Sequence, residues 1–482
     1  MTFNSVEYFV FLFCVVLLHW AAHPRLRPGL LLAASYLFYA TWNWRFVPLL
    51  AFATVVTYVA GRLLPTSTGT RRRALLWFAV LSSAAVVVGF KGLAVLTGGG
   101  GAAGGGVLGF GFGSVVENVV IPVGLSFYTF QVISYVVDVS RGTIEPERRF
   151  VTYALYVSFF PHLLAGPIVR AGRLIPQLHS RRRRPDPIAF SEGLQLLLTG
   201  LFKKVVVADL LAATVRTYLP ALTSPDPNLG SVDAVLCLVV VLLSNYFDIW
   251  GYVDMARGSA KLLGVRMPSS FAQPYTRSRS WTEFWRRWQV TIMGWFRDYV
   301  YRPVRGSTRT RGREALALLA TFVAAGLWHG LTPGWLVWGL LTAGLLIAEQ
   351  WWKVDRVIAG NGKPTPATRT GRVLRQVRRS LYVFVCLLIV TPWAGTGSLS
   401  GALTVYGYVF SAPGAIDANL VLFTVLAVAV MILLDGFERR EMDREGFPNP
   451  VTTRRWVVYG CMVLGIVVAS GATTQEFVYF RF

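Results

Sequence analysis

Long apolar runs recur along the whole chain, and short clusters of arginine separate them. About twelve of these runs approach the roughly 20 residues that a helix needs to cross the hydrocarbon core of a bilayer. The pattern therefore predicts an all-α polytopic membrane protein of about twelve transmembrane helices. The predicted spans are roughly 6–22, 30–44, 46–62, 74–95, 115–138, 187–218, 231–262, 314–331, 333–351, 380–409, 419–436 and 456–473.

Composition agrees with this class. Of 482 residues, 54% are hydrophobic and 15% charged, whereas soluble domains carry roughly 45–50% and about 25%. These values exclude a disordered chain, a disulfide scaffold and an ordinary cytosolic enzyme. We interpret the four scattered cysteines, which lie in apolar stretches without metal-ligand spacing, as packing residues.

The net charge of +23 could suggest nucleic acid binding. However, the arginine clusters at 71–73, 181–184, 372–379 and 454–455 lie between apolar runs, where the positive-inside rule places them. We therefore expect a cytoplasmic (inner) membrane protein with the basic linkers inside and no nucleic acid partner. The Ala- and Arg-rich composition indicates a bacterial source. The glycine-rich 98–113 segment and both termini then face outward. Because no basic residues precede Val6, the first run is interpreted as a span and not a cleaved signal.

Two stretches do not fit as simple spans. Residues 150–178 contain prolines and glycines, and residues 281–301 are aromatic and charged. Each is predicted to be re-entrant or interfacial, which indicates a cavity because irregular backbone is tolerated at membrane depth only beside protein or water. We expect one integral membrane domain over 1–482, with core motifs within 115–351 and peripheral helices in 1–95 and 380–482.

A helix is predicted to begin at Trp281, because Ser280 and Glu283 form a capping-box pattern. Its apolar and aromatic positions recur at helical spacing and form one face; they are Trp281, Trp285, Trp288, Ile292, Trp295 and Tyr299. The simpler interpretation is an interfacial anchor. The functional alternative is a basic wall, through Arg286 and Arg287, that meets a phosphate-bearing donor.

His329 lies in the apolar run 317–331, where an ionisable residue is costly and marks a candidate site. Histidine titrates near neutral pH and accepts protons from hydroxyl groups. The alternative is a histidine hydrogen-bonded to a carbonyl near the outer turn. Composition does not favour one interpretation over the other.

Acidic residues occur within the apolar run 231–262. Asp254 is expected to pair with Arg257 in a structural role, whereas Asp248 has no neutralising neighbour in sequence and is the better functional candidate. Lys203 and Lys204 are expected to snorkel to the interface. Phosphate-binding loops, hydrolase elbows and metal-ligand spacings do not occur in the sequence, so we expect no metal and no bound cofactor.

A series of ordered motifs resembles the membrane-bound O-acyltransferases, in particular the branch of alginate O-acetyltransferases and D-alanyl-lipoteichoic-acid transferases. The resemblance runs nearly end to end. Its motifs are Ile121–Gln131, Ser158–Pro167, Tyr246–Asp248, Gly251–Met255, Phe284–Trp288, Trp295–Tyr299, Gly326–Gly330 and Phe477–Phe482.

The resemblance implies a ring of tilted helices around a central tunnel, with a cytoplasmic donor side and an outward acceptor side. His329 matches the family histidine that is thought to act as base on the acceptor hydroxyl. The donor substrate would be acetyl-CoA or another acyl thioester, such as an acyl carrier protein. Residues that line or shape the tunnel, or position substrates in it, would be Gln289, Asp248, Trp328, Tyr252 and Trp285, and candidates for donor phosphates are Arg286 and Arg287.

The chain departs from the family pattern at two places. Gln289 occupies the position of a second family histidine and cannot carry a proton at neutral pH. An expected aromatic and arginine pattern is missing at 391–395. The resulting hypothesis is an O-acyltransferase, with acetyl as the expected group. Its acceptor would be an exported or cell-surface polysaccharide, a related glycan or a metabolite. Its partners would be membrane lipids and an extracytoplasmic acyltransferase. The competing hypotheses are a lapsed relay or scaffold subunit, suggested by Gln289, and a transporter, against which the lack of internal repeats counts.

Overall fold

A computed structural model describes residues 1–96, 122–180, 184–224, 229–271, 278–308, 310–358, 360, 368–442 and 453–469. These residues form helices and connecting turns, and no strand occurs among them. The all-α expectation is therefore confirmed for this part of the chain. The glycine-rich 98–113 segment, residues 115–121 of a predicted span, Arg181–Arg183 and the Phe477–Phe482 motif lie outside the described residues.

The described residues contain the following helices in chain order. They are α1 (Val6–Ala21), α2 (Arg27–Asn43), α3 (Val47–Leu63), α4 (Gly69–Leu96), α5 (Leu125–Ser140), α6 (Phe150–Ser158), α7 (Phe160–Leu163), α8 (Ala171–Leu178), α9 (Pro187–Leu201), α10 (Asp209–Ala221), α11 (Ser231–Leu262), α12 (Trp281–Arg287), α13 (Val290–Phe296), α14 (Arg302–Arg305), α15 (Arg311–His329), α16 (Pro333–Trp352), α17 (Val354–Ile358), α18 (Arg369–Thr396), α19 (Leu399–Val409), α20 (Ala418–Met442) and α21 (Thr453–Ala469).

Four helical stretches among the described residues are long and apolar enough to cross a membrane. They are Arg27–Leu63, which covers α2 and α3, Gly69–Leu93, Ser231–Leu262 and Ala418–Gly436. The helices Val6–Ala21 and Arg455–Ala469 are shorter and also apolar. Large apolar side chains on the outer faces of these helices are exposed, among them Val88, Leu433 and Val468. Such an apolar exterior is typical of a protein surrounded by lipid.

Helix α11 is the central element of the fold, and its backbone approaches that of α9 closely at glycine positions. A Cβ atom on Gly200 would lie 2.6 Å from the carbonyl oxygen of Gly251, and one on Gly258 would lie 2.7 Å from that of Gly193. Two pairs of glycines therefore permit the close approach of these helices, as small residues do in membrane helix pairs. Because other elements cover the rest of α11, nearly all of its side chains from Ser244 to Ala260 are buried.

The predicted span 187–218 is interrupted by a π-helical turn over Phe202–Ala208. This turn carries Lys203 and Lys204 inward, where they are 0% and 2% exposed. The prediction that both lysines snorkel to the interface was therefore wrong. Each ammonium group instead meets aspartates inside the protein, so pairing replaces the water that snorkelling would have supplied.

The buried charges form two adjoining clusters beside α11. Lys203 Nζ lies 2.6 Å from an oxygen of Asp254, whose other oxygen accepts from Arg257 at 3.0 Å. Lys204 Nζ lies 2.7 Å from Asp209 and 2.8 Å from Asp248. The expected pair between Asp254 and Arg257 is thus present. The cross-helix partner that Asp248 required is Lys204.

The stretch 150–178 is broken, as its prolines and glycines predicted. Helices α6, α7 and α8 are short, and almost every residue from Thr152 to Val169 is buried. Gly166 lies so close to the preceding turn that a Cβ atom would be 2.5 Å from the Cα of His162. This compact irregular segment is enclosed by protein, as non-helical backbone at membrane depth requires.

Candidate functional site

The predicted helix over 281–301 begins at Trp281 as expected, because Ser280 Oγ accepts a hydrogen bond from the Glu283 amide at 3.1 Å. It does not continue as one helix. Helix α12 ends at Arg287, and Gln289 adopts left-handed backbone angles of φ 43° and ψ 50° before α13 begins. The prediction of one continuous aromatic face over this helix was therefore wrong. The break is held by tertiary contacts, since the Val290 amide donates to the Ser270 carbonyl at 2.8 Å.

A buried carboxylate fixes the start of α12. Glu349 on α16 accepts from the amide of Trp281 at 2.7 Å and from that of Thr282 at 2.9 Å. The hydroxyl of Tyr382 donates to the same carboxylate at 3.0 Å. An anion at a helix N-terminus satisfies free amides and complements the helix dipole. The sequence analysis missed Glu349, although an isolated acid in the apolar run 333–351 was the signal for it.

Helices α15 and α16 form a tight antiparallel pair that presents His329. A Cβ atom on Gly326 would lie 2.3 Å from the carbonyl oxygen of Trp335, and one on Gly339 would lie 2.5 Å from that of Phe322. These glycines allow the two backbones to touch. The close packing brings the end of α15, where His329 is the last helical residue, against the aromatic start of α16.

The imidazole of His329 lies among indole rings. It stacks on Trp335 with a centroid distance of 4.5 Å and an interplanar angle of 14°, and the ring of Trp338 meets it edge-on at 5.6 Å. Trp328 lies 4.5 Å away at a tilted angle. Three aromatic neighbours therefore restrict the rotation of the imidazole, which is the arrangement that a positioned proton acceptor requires.

A cavity of about 120 Å³ opens beside this imidazole. Its walls come from α11, α12, the α12–α13 break, α13, α15, α16 and α18. The lining residues are Asn245, Ile249, Trp285, Trp288, Gln289, Ile292, Met293, Phe296, Ala325, Trp328, His329, Trp335, Trp338 and Ala394. Within this lining His329 is the one residue that carries an imidazole, and Asn245 and Gln289 supply neutral polar groups.

The structure brings four of the predicted site residues to this cavity, namely His329, Gln289, Trp328 and Trp285. Gln289 is 7% exposed, and its left-handed backbone directs the chain along the cavity wall. A strained backbone at a candidate site is a recurrent feature of functional residues. The sequence analysis did not single out Trp335 and Trp338, although their spacing of three residues on a helix placed them on one face.

Two predicted positioning residues lie elsewhere. Asp248 is not in the cavity lining and is paired with Lys204. The ring of Tyr252 stacks on Phe3 with a centroid distance of 4.5 Å. Asn245 and Ile249 present the cavity-facing side of α11 instead.

The two arginines of α12 have different surroundings. Arg287 donates to Glu283 at 2.5 Å, across one helical turn, whereas Arg286 is exposed. Neither lines the cavity. Arg286 is therefore the better placed of the two to meet a group that approaches from solvent.

Comparison with known proteins identifies the family. A model of MBOAT, the membrane-bound O-acyltransferase family, matches residues 146–354. The chain is 34% identical to a probable alginate O-acetylase of Azotobacter vinelandii over an alignment of 442 residues. This alignment covers 90% of this chain and 83% of that protein. It is 29% identical over 360 residues to a peptidoglycan O-acetyltransferase of Helicobacter pylori, with 69% and 66% covered.

A third relative is a teichoic acid D-alanyltransferase of Bacillus subtilis, 27% identical over 263 residues that cover 51% of this chain and 64% of that protein. All lining residues of the cavity except Ala394 fall within the segment that the family model matches. The resemblance indicated by the sequence motifs is confirmed. The chain belongs to the membrane-bound O-acyltransferase family and is an acyltransferase.

Proposed function

We propose that this acyltransferase moves an acetyl group from a cytoplasmic thioester to a hydroxyl of an exported or cell-surface glycan, with His329 as the general base. One observation carries the proposal: His329 is the titratable side chain in the wall of the cavity and is held there by stacking on Trp335. The relatives named as O-acetylase and O-acetyltransferase support acetyl as the transferred group.

The reaction follows from this geometry. The imidazole of His329 accepts the proton of the acceptor hydroxyl as its oxygen attacks the thioester carbonyl carbon. A carbon–oxygen bond forms, the carbon–sulfur bond breaks, and the proton passes from the imidazolium to the departing sulfur. A positioned base contributes about 10²–10⁴-fold, and holding both substrates at one cavity supplies further acceleration through proximity.

The size of the cavity supports a short acyl group. Its volume of about 120 Å³ is smaller than the roughly 150 Å³ cavity that takes up one benzene molecule in another protein. A long acyl chain therefore does not fit inside it whole. The reacting carbonyl and hydroxyl enter, while the remainder of the donor and acceptor stays outside.

We therefore expect acetyl-CoA to be a better donor than hexanoyl-CoA by at least about 10-fold in kcat/KM, because four added methylenes overfill a cavity walled by indoles. Initial rates with the purified protein in nanodiscs measure this ratio. Ile292→Ala enlarges the same wall and should reduce the preference. Equal rates with both donors in the parent protein would contradict the assignment of this cavity to the acyl group.

The named relatives support two kinds of acceptor for this acyltransferase. The probable alginate O-acetylase relative supports an alginate-like polysaccharide as acceptor, and the peptidoglycan O-acetyltransferase relative supports a cell-wall glycan as the alternative.

Arg286, which is exposed, is the proposed contact for phosphates of CoA or an acyl carrier protein. An extracytoplasmic acyltransferase is the proposed partner. About twelve crossings of the inner membrane and a tunnel continuous with the cavity complete the proposal.

The proposal treats Gln289 as an adapted residue. Gln289 lines the cavity, and its side-chain amide forms hydrogen bonds but does not gain or lose a proton at neutral pH. Histidine tolerates the left-handed backbone found there, so Gln289→His tests chemistry at an unchanged fold. We expect transfer to fall by about 10-fold, because an imidazole replaces an amide in a closely walled site.

The same variant tests the competing function, a subunit whose catalysis has lapsed. In that case restoring the second histidine raises transfer from a low level by about 10-fold or more, which would contradict our assignment. Gln289→Asn, which also tolerates these backbone angles and keeps the amide, is the matched control. It should stay closer to the parent rate than Gln289→His.

A further inference from the structure

A buried lysine from the N-terminal part of the chain reaches the end of the helix that carries His329. Lys91 lies on α4 and is 5% exposed. Its ammonium group donates to the carbonyl oxygen of Trp328, and to that of His329 at 3.1 Å. This contact joins residues more than 230 positions apart in sequence. The sequence analysis missed it, although a lone lysine in the predicted span 74–95 is a costly residue that calls for a partner.

The two carbonyls belong to the last turn of α15, where a helix lacks amide donors for its own oxygens. The amide of Gly330 satisfies the carbonyl of Gly326, and the chain then turns away in an extended conformation. A cation at this end complements the negative pole of the helix dipole. Within a membrane protein, such oxygens need a protein donor because bulk water is absent.

We propose that Lys91 is a positioning residue for the acyl transfer, fixing the Trp328–His329 turn so that the imidazole points into the cavity. The proposal rests on the proposed role of His329 as base. Trp335 holds one face of the ring by stacking, and Lys91 holds the backbone from which the ring projects. Together these contacts restrict both the imidazole and the peptide units that carry it.

Lys91 acts through His329 and not on the substrate. It is absent from the residues that line the cavity, and its ammonium group donates to the two backbone carbonyls. Loss of this contact therefore changes the fraction of correctly aimed imidazole, which alters kcat. It leaves the cavity walls that bind the donor in place, so KM should change little.

The test compares Lys91→Met, which keeps an unbranched side chain one atom shorter and removes its donors, with Lys91→Arg, which keeps both charge and donors. Rates of [¹⁴C]acetyl transfer from acetyl-CoA to an alginate oligosaccharide are measured in nanodiscs, with thermal midpoints by fluorescence. We expect Lys91→Met to lose about 10- to 100-fold in kcat with KM within about twofold of the parent. Lys91→Arg should recover most of that loss.

Ser83→Ala is the matched control on the same helix, because it also removes one buried side-chain hydrogen bond, from Ser83 Oγ to the Ala79 carbonyl at 2.8 Å. It should retain the parent kcat. Should Lys91→Met fail to fold, Lys91→Gln keeps one donor group and should give an intermediate rate. Parental kcat in Lys91→Met or Lys91→Gln, or a loss in Lys91→Met that Lys91→Arg does not restore, would overturn the proposal. A fully active His329→Gln enzyme would instead overturn the proposed function.

Discussion

Replacement of His329 by glutamine is expected to lower acetyl transfer by about 10²–10⁴-fold, the contribution typical of a positioned general base. Glutamine fills a similar volume and keeps hydrogen-bonding groups, but it does not accept a proton at neutral pH. The aromatic contacts of the site remain available, so the protein should still fold and bind its donor. Initial rates of labelled acetyl transfer by the purified protein provide the measurement.

The matched control for this loss is His23→Gln. His23 is exposed beyond the end of α1 and is not part of the cavity lining. It should retain the parent rate, and the thermal midpoints of both variants should stay near that of the parent. A His329→Gln rate within about twofold of the parent would remove His329 from the chemistry.

The second large effect is expected in stability. Asp254→Leu removes the carboxylate that lies 2.6 Å from the buried Lys203 ammonium. Breaking a buried pair in this way costs about 3–5 kcal/mol, because the remaining charge stays desolvated. We therefore expect a large fall in the thermal midpoint and in the yield of folded protein.

A double variant separates the stranded charge from lost packing. Lys203→Met with Asp254→Leu replaces both charges by apolar groups and should recover most of the stability, since such replacements are often neutral. Glu192→Ala is the matched control, because its pair with Lys261 is partly exposed, at 46% and 20%, and surface pairs contribute about 0–1 kcal/mol. A stable Asp254→Leu protein, or a double variant as unstable as the single one, would contradict this account.

Much of the helical architecture was predictable from apolar run length, because the runs are long and the basic clusters separate them. The capping box correctly placed the start of α12, a local feature that depends on neighbouring residues alone. The break at Gln289 was not predictable in the same way. It depends on Ser270, which lies outside the helix, between α11 and α12, and holds the Val290 amide where helical periodicity would have continued.

Site residues were predictable from sequence where their residue type is rare in its surroundings. They were less predictable where the assignment depends on which face of a helix points toward the cavity. His329 stands out because an ionisable group in an apolar run is energetically costly and is rarely found without a function. Asp248 stands out equally, yet it faces Lys204 while Asn245 and Ile249 face the cavity. Because α11 is covered on nearly all sides, its hydrophobic pattern does not distinguish the face toward the cavity from the face toward α9.

Transfer across a closed membrane tests the central claim most directly. The protein is reconstituted into liposomes that enclose [¹⁴C]acetyl-CoA, with an alginate oligosaccharide supplied outside, and the labelled oligosaccharide ester is measured in the external solution. The account predicts that ester accumulates with the parent protein and falls by about 10²–10⁴-fold with His329→Gln. Equal accumulation of the external ester with both proteins would contradict it.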